Sequence, residues 1–363
     1  MKVLIMNQHI EDVVGGSERQ CDLIAKHLTE FGHEVIYGAI KAKKNNYGTS
    51  YRVYPLPSIT IKAFGDLLKE VKPDVVYWRY NRKFLFNAGM LCKIRGCKIV
   101  FAVSSLKDIT KWKYSPINKN TGFLKYFKSI LSSLKNTLID RINYLGYKFM
   151  DGVVLQKKDT LHAVPKNIKQ NRKIHIYNSM EVSKTNSFNW KKPYIIWVAN
   201  IKKGKNPEKV IKIADKIKHK NVDILMIGKI QDNSYNQMLR KENLPSNVHY
   251  LGPKKVDEVD NIIANSLFLI HTCNPEGLPN NLIQSWLLGK PTISLYYDPD
   301  SLIETNKLGY LSKSEELMIK QIIELIDDTE VRNRIGNNAR EVANCLFDPK
   351  QNIRKLESFL SEI

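Results

Sequence analysis

The sequence predicts an α/β protein of two domains, each a parallel sheet wound with helices. Three observations lead there. The chain has 363 residues, too many for one compact core and well suited to two. Short apolar runs of strand type alternate with stretches of helical periodicity, the pattern of an open parallel sheet. That alternation breaks at 178–193 and then restarts, so the domains are expected at 1–180, with 346–363 returning to it, and at 181–345. A hydrophobic content of 43% fits a protein of this class.

The first half opens with a strand at 2–6, followed by a loop through Gly15 and Gly16. A helix is expected over 17–31, with Ser17 as its cap and Gly32 as its stop. Cys21, Leu23, Ile24, Ala25 and Leu28 supply its apolar stripe. Strands follow at 34–38, 75–78, 98–103 and 152–155, while 45–60, with Pro55 and Pro57, reads as irregular surface loop. Over 123–150 the apolar residues recur at helical spacing, with Lys125, Lys128, Lys135, Arg141 and Lys148 among them. Such a helix either packs in the core with a solvated basic face or lies on an anionic membrane.

The second half restarts with a strand at 194–199, a Lys-rich loop and a helix at 207–218. A strand at 223–227, a helix near 234–243, a strand at 248–250 and a helix at 257–264 come next. A buried-type strand at 267–271 leads into Glu276-Gly277-Leu278-Pro279-Asn280-Asn281-Leu282-Ile283-Gln284. Pro279 is expected to open a helix there. A strand at 292–295, helices near 314–326 and 329–346, and a last helix at 349–362 complete the chain.

Net charge is +21 and unevenly placed. Residues 1–180 hold 31 Lys and Arg against 13 Asp and Glu, whereas 181–363 hold 26 against 23. An excess on one half points to an anionic partner: nucleic acid, an acidic membrane surface or a phosphorylated substrate. No Walker A, zinc-finger or RNP-type motif supports nucleic acid, which is set aside. Five scattered cysteines without metal-ligand spacing argue for a reducing cytoplasm and against structural zinc. The N-terminus reads as a strand, not a signal peptide, and no run reaches the roughly 20 apolar residues of a membrane span. The expected location is cytoplasmic, with peripheral contact at an inner membrane face.

The 276–284 segment carries the clearest chemistry. A carboxylate placed at a strand's carboxyl end, beside the free N–H groups of a helix start, suits a polyhydroxylated phosphate ester. Strand, Glu-Gly-x-Pro-Asn, helix, Gly-x-Pro and strand follow in that order, and this arrangement resembles the Glu-x7-Glu signature of retaining glycosyltransferases of family 4. The second acid is here Gln284. Gly15-Gly16 is similar to that family's N-terminal Gly-Gly loop, which faces the donor. The resemblance extends over nearly the whole chain and is sharpest at 15–35, 194–213 and 265–300.

The resemblance implies the GT-B fold: two Rossmann-like domains facing across a cleft, with the C-terminal helix crossing back to the first. It implies transfer of a sugar from a UDP- or GDP-linked donor, with retention at the anomeric carbon and without a metal or other cofactor. By the same resemblance the first domain binds the acceptor, a glycan or a lipid-linked precursor, and the second the donor. Glu276 would face the donor sugar; Gly277, Asn280, Asn281 and Leu282 would offer the donor backbone contacts. Gln284 would read the ribose through its carbonyl. Asn200 stands where the family usually has an Arg for the donor phosphates, and Lys205 keeps the family's Lys five residues on. The family's His after the strand at 98–103 is missing, since no His occurs between His33 and His162. Asp108 is taken for its place as a second catalytic candidate, with Ser104 as the alternative. Rival readings are another GT-B chemistry, inverting transfer or epimerisation, and a non-catalytic partner subunit.

Overall fold

The computed structural model describes residues 1–13, 15–103, 106–110, 123–166, 168–274 and 277–363, and of 106–107 and 123–127 the backbone alone. The described chain forms two compact units, Met1–Ser179 with Pro349–Ile363, and Met180–Asp348.

In unit 1 the elements run β1 (Lys2–Asn7), α1 (Gly16–Glu30), β2 (Glu34–Ile40), β3 (Arg52–Leu56), α2 (Ile61–Val71), β4 (Val75–Trp78), α3 (Leu85–Arg95), β5 (Lys98–Val103), α4 (Leu106–Ile109), α5 (Phe123–Leu145), β6 (Gly152–Leu155) and β7 (Lys173–His175). The seven strands pair in parallel in the order β3-β2-β1-β4-β5-β6-β7. A strand covered on both faces must be apolar at every position. In β1, Leu4 and Met6 face the α2 and α3 side with Val76, Trp78 and Phe101, whereas Val3 and Ile5 face the α1 side with Tyr37, Tyr77 and Val100.

Unit 2 repeats the plan with β8 (Tyr194–Val198), α6 (Pro207–Lys216), β9 (Asp223–Ile227), β10 (Val248–Tyr250), α7 (Val256–Ala264), β11 (Leu269–His271), α8 (Asn280–Leu287), β12 (Thr292–Ser294), α9 (Leu302–Thr305), β13 (Gly309–Leu311), α10 (Glu315–Asp327) and α11 (Thr329–Leu346). Its sheet order is β10-β9-β8-β11-β12-β13. Val210 and Ile213 of α6 and Met318, Ile322 and Leu325 of α10 cover one face. On the other, α8 packs against α7 and α11, and fully buried Trp286 stacks on Phe347. The last helix, α12 (Pro349–Glu362), belongs to unit 1, where Ile353, Leu356, Phe359 and Leu360 join α1 on the sheet.

Several expectations need correction. Part of 45–60 is not loop but the edge strand β3, in which Pro55 pairs opposite Ala39. An edge strand can carry a proline whose missing N–H would face away from its neighbour. The helix near 234–243 is absent; two short 3-10 turns, Asn233–Tyr235 and Lys241–Asn243, stand there. Asp232 caps the first through the Ser234 N–H at 3.0 Å, a local bond that competes with helix propagation. Ser17 does not cap α1, which starts at Gly16 with Gly15 as N-cap; its hydroxyl accepts from Asn7 Nδ2 at 3.1 Å instead. Pro279 is the N-cap of α8 and not its first residue.

The amphipathic stretch 123–150 divides into α5 and a 3-10 turn, Gly146–Phe149. Much of its described apolar stripe is not buried. Leu131, Leu134, Leu138, Ile142 and Leu145 are 42–63% exposed, and Lys128, Lys135 and Arg141 are exposed beside them. Among the described residues no helix is long and apolar enough to cross a membrane.

Candidate active site

In unit 2 the chain order reverses between β8 and β11. From β8 the chain winds outward to β9 and β10, and from β11 it winds the other way. Loops leaving the carboxyl ends of such a pair diverge and leave a crevice, where open α/β sheets hold ligands. Here the crevice is braced by cross-loop hydrogen bonds. Asn206, at φ +50, sends Nδ2 to Thr272 O (2.8 Å) and Asn274 Oδ1 (3.1 Å). Thr272 Oγ1 donates to Lys205 O at 2.8 Å and accepts from Trp197 Nε1 at 2.9 Å. The Asn274 N–H reaches Gly204 O at 3.0 Å, so the Lys205 loop and the post-β11 loop are tied to each other.

The sequence-derived donor residues of unit 2 gather around this crevice. Asn281 Nδ2 donates to Val198 O at 2.7 Å and ties the start of α8 to the end of β8. Gly277 O accepts from the Tyr297 hydroxyl at 3.1 Å, which brings in the post-β12 loop. Asn200 Oδ1 accepts from the Lys229 N–H at 3.4 Å, at the mouth of β9. Leu282 is buried, and its N–H donates to Pro279 O and Asn281 Oδ1. Asn280, the first residue of α8, has a buried Oδ1 without a hydrogen-bond partner among the described residues. A buried acceptor left open at a helix start is a place for a ligand hydroxyl or amide. Glu276 lies outside the described residues.

Gln284 is buried on the second turn of α8. Its Nε2 donates to Asp260 Oδ1 at 2.8 Å. Asp260 is fully buried on α7, and its other oxygen accepts from the Ser183 N–H at 2.9 Å. The amide nitrogen is thus committed to a carboxylate, which orients the side chain. Nothing in the 276–284 segment signals this partner, 24 residues upstream. Asp298 was also not anticipated. It caps α9 through the Ile303 and Glu304 N–H groups (2.8 and 3.0 Å), and burial raises its carboxyl above the ordinary range.

The remaining predicted residues belong to unit 1. Gly15, at φ −149, and Gly16 form the entry to α1, with Asn7 at the end of β1 holding Ser17. Upstream, fully buried His9 accepts the Glu11 N–H at Nδ1 (3.2 Å) and contacts the Tyr51 hydroxyl through Nε2 (3.1 Å). Tyr51 in turn donates to Asp22 Oδ1 at 2.6 Å. This chain suits a neutral imidazole, and burial lowers its pKa accordingly. The His9 network fixes the path from β1 toward Gly15 and was invisible in the local sequence. Asp108 lies in α4, where its carbonyl accepts from Arg82 Nη1 (2.8 Å) and the Tyr147 hydroxyl (3.1 Å). Arg82 also pairs with Asp140, so the segment bearing Asp108 is anchored to α5. Ser104 lies outside the described residues.

Two parallel-sheet Rossmann-like units with the last helix returned to the first define a GT-B protein. Solved structures share that fold, two of them over 99% of the chain. A glycosyltransferase from Rickettsia africae aligns at 18% identity over 99% of this chain and 98% of its own, with a TM-score of 0.74. WaaG, a glycosyltransferase involved in lipopolysaccharide biosynthesis, aligns at 13% identity over 99% of each chain, with a TM-score of 0.69. A Staphylococcus aureus TarM mutant, in complex with Fondaparinux, α-GlcNAc-glycerol and UDP, aligns at 14% identity over 83% of this chain and 58% of its own (TM-score 0.60). No curated protein matches by sequence. Residues 179–342 match the family model for glycosyl transferases group 1, which spans nearly all of unit 2. The chain has the GT-B fold, and its second unit carries a glycosyl transferases group 1 domain.

Proposed function

We propose that this enzyme moves a sugar from a UDP- or GDP-linked donor to an acceptor of a polysaccharide or glycolipid pathway, with retention at the anomeric carbon and without a metal. The observation that carries the reading is the α8 N-terminus at the sheet's switch point, with the open Asn280 acceptor at its first residue and the braced Lys205 loop at the same crevice. A diphosphate seated there meets the positive end of a helix and a lysine, which together stabilise the departing charge. Glu276 would face the sugar and the developing positive charge at its anomeric carbon. The leaving phosphate would accept the acceptor's proton as the new bond forms on the same face. By the family resemblance, Gly15 and Gly16 are donor-binding candidates and Asp108 is a second catalytic candidate. The UDP bound by the TarM structure agrees with such a donor.

The test is direct. Glu276→Ala is expected to lower kcat about 10²–10³-fold, the size of losing one preorganised electrostatic contact. The product's anomeric configuration, read by NMR, should match the donor's. An inverted product, or full activity in the variant, would overturn the mechanism.

The acceptor class rests on the basic first half and on the exposed stripe of α5. Leucines flanked by lysines and an arginine suit the headgroup boundary of an anionic membrane, with roughly 1 kcal/mol per basic residue near the surface. Wild-type protein should therefore co-sediment with phosphatidylglycerol vesicles at low salt and release at high salt. A Leu134→Glu/Leu138→Glu double variant should stay in the supernatant while keeping its fold by circular dichroism. Equal sedimentation of both would remove the membrane from the proposal.

A further inference from the structure

Unit 1 has its own switch point, between β1 and β4, and Arg79 lies one residue past the end of β4. Its side chain is 4% exposed. A guanidinium does not deprotonate in a protein, and a buried charge is normally met by an opposite one. Arg79 instead has two neutral partners, the Tyr77 hydroxyl at 3.3 Å from Nη1 and Asn178 Oδ1 at 2.9 Å from Nη2. Among the described residues its Nε–H is buried with no acceptor and no ion pair involves it. Asp22 lies on the neighbouring helix α1 but is taken by Tyr51 and Lys26.

Beside Arg79 is a cavity of about 20 Å³, lined also by Gln20, Tyr77, Asn178, Ser179 and Asn352 and by no carboxylate. It has room for roughly one water-sized particle. We infer that this cavity is a binding site for a small monovalent anion of the halide class, the missing counter-ion of Arg79. The same residues hold the point where the chain leaves unit 1, since Gln20 bonds both the N–H and the carbonyl of Ser179. An anion there would stiffen that exit. The inference is independent of the transfer reaction, and sulfate or phosphate would be too large for the space.

The test uses the wild-type chain. Crystals soaked in bromide should give an anomalous peak against Arg79. At constant ionic strength, replacing gluconate by chloride or bromide should raise Tm by about 2–4 °C, as a ligand of the folded state does, whereas sulfate should act no differently in Arg79→Gln and wild type. The halide response should vanish in Arg79→Gln. If that variant fails to fold, the bromide peak and the wild-type halide series still decide. A cavity that holds water alone, with no bromide peak and a halide-independent Tm, would overturn the proposal.

Discussion

Gln284→Glu is expected to destabilise the enzyme by about 2–4 kcal/mol at neutral pH, although it restores the acid that the family signature carries at this position. The reason is Asp260. A glutamate in the place of the Gln284 amide would set a second carboxylate about 2.8 Å from one that is fully buried. Two carboxylates that close cannot both ionise, so one must hold a proton that it would release in the unfolded chain. The folded variant then binds more protons than the unfolded one, so its deficit is largest at high pH and shrinks as pH falls through the acid range. Urea unfolding of the wild type and the variant at pH 7 and pH 5 measures both effects. The double variant Gln284→Glu/Asp260→Asn should recover most of the loss, because the amide now faces the acid in reverse. An unchanged unfolding midpoint in the single variant would show that the Asp260 contact is not maintained in solution. An amide at 284 meets the buried Asp260 carboxylate without either side chain having to take up a proton.

Gly228→Ala should cost about 3–4 kcal/mol and weaken donor binding as well. Gly228 follows β9 directly at φ +151, a backbone region that L side chains rarely enter. A Cβ there would lie 1.8 Å from Ala199 O and 2.6 Å from its carbonyl carbon, so backbone and not a flexible side chain would have to yield. Ala199 heads the loop to Asn200 and Lys205, and Gly228 is itself held by the Gly252 carbonyl (3.1 Å) and the Tyr250 hydroxyl (2.7 Å). The displaced element is thus the one proposed to receive the donor phosphates. Gly204→Ala is the control: a Cβ there meets nothing within 4 Å. Thermal unfolding should fall sharply for Gly228→Ala and little for Gly204→Ala. Titration with the nucleotide diphosphate should show weaker binding in the first even at temperatures where it remains folded. Equal stability of the two would mean that the β9 terminus relaxes freely.

What could be read in the chain alone was whatever depends on near neighbours. The helical period of Cys21, Ile24, Ala25 and Leu28 marks α1, and continuous apolar runs such as Val3–Met6 mark strands buried on both faces. The Glu276–Gln284 segment, Gly15-Gly16 and the Asn200–Lys205 spacing stand out as motifs too, because each lies within nine residues of chain. Local signals also misled. The prolines of 45–60 suggested loop because edge position, which excuses Pro55, is a property of the sheet and not of the segment. The stripe of α5 had the period of a buried helix, yet period alone does not say whether a partner covers it. Tertiary structure decided the rest: that Gln284 answers to Asp260, that Arg79 is buried against Asn178 beside a cavity whose lining holds no acid, and that His9, Tyr51 and Asp22 form one hydrogen-bonded chain. Each joins residues from separate elements, and only the packing of those elements sets the burial that makes a missing or mismatched charge costly.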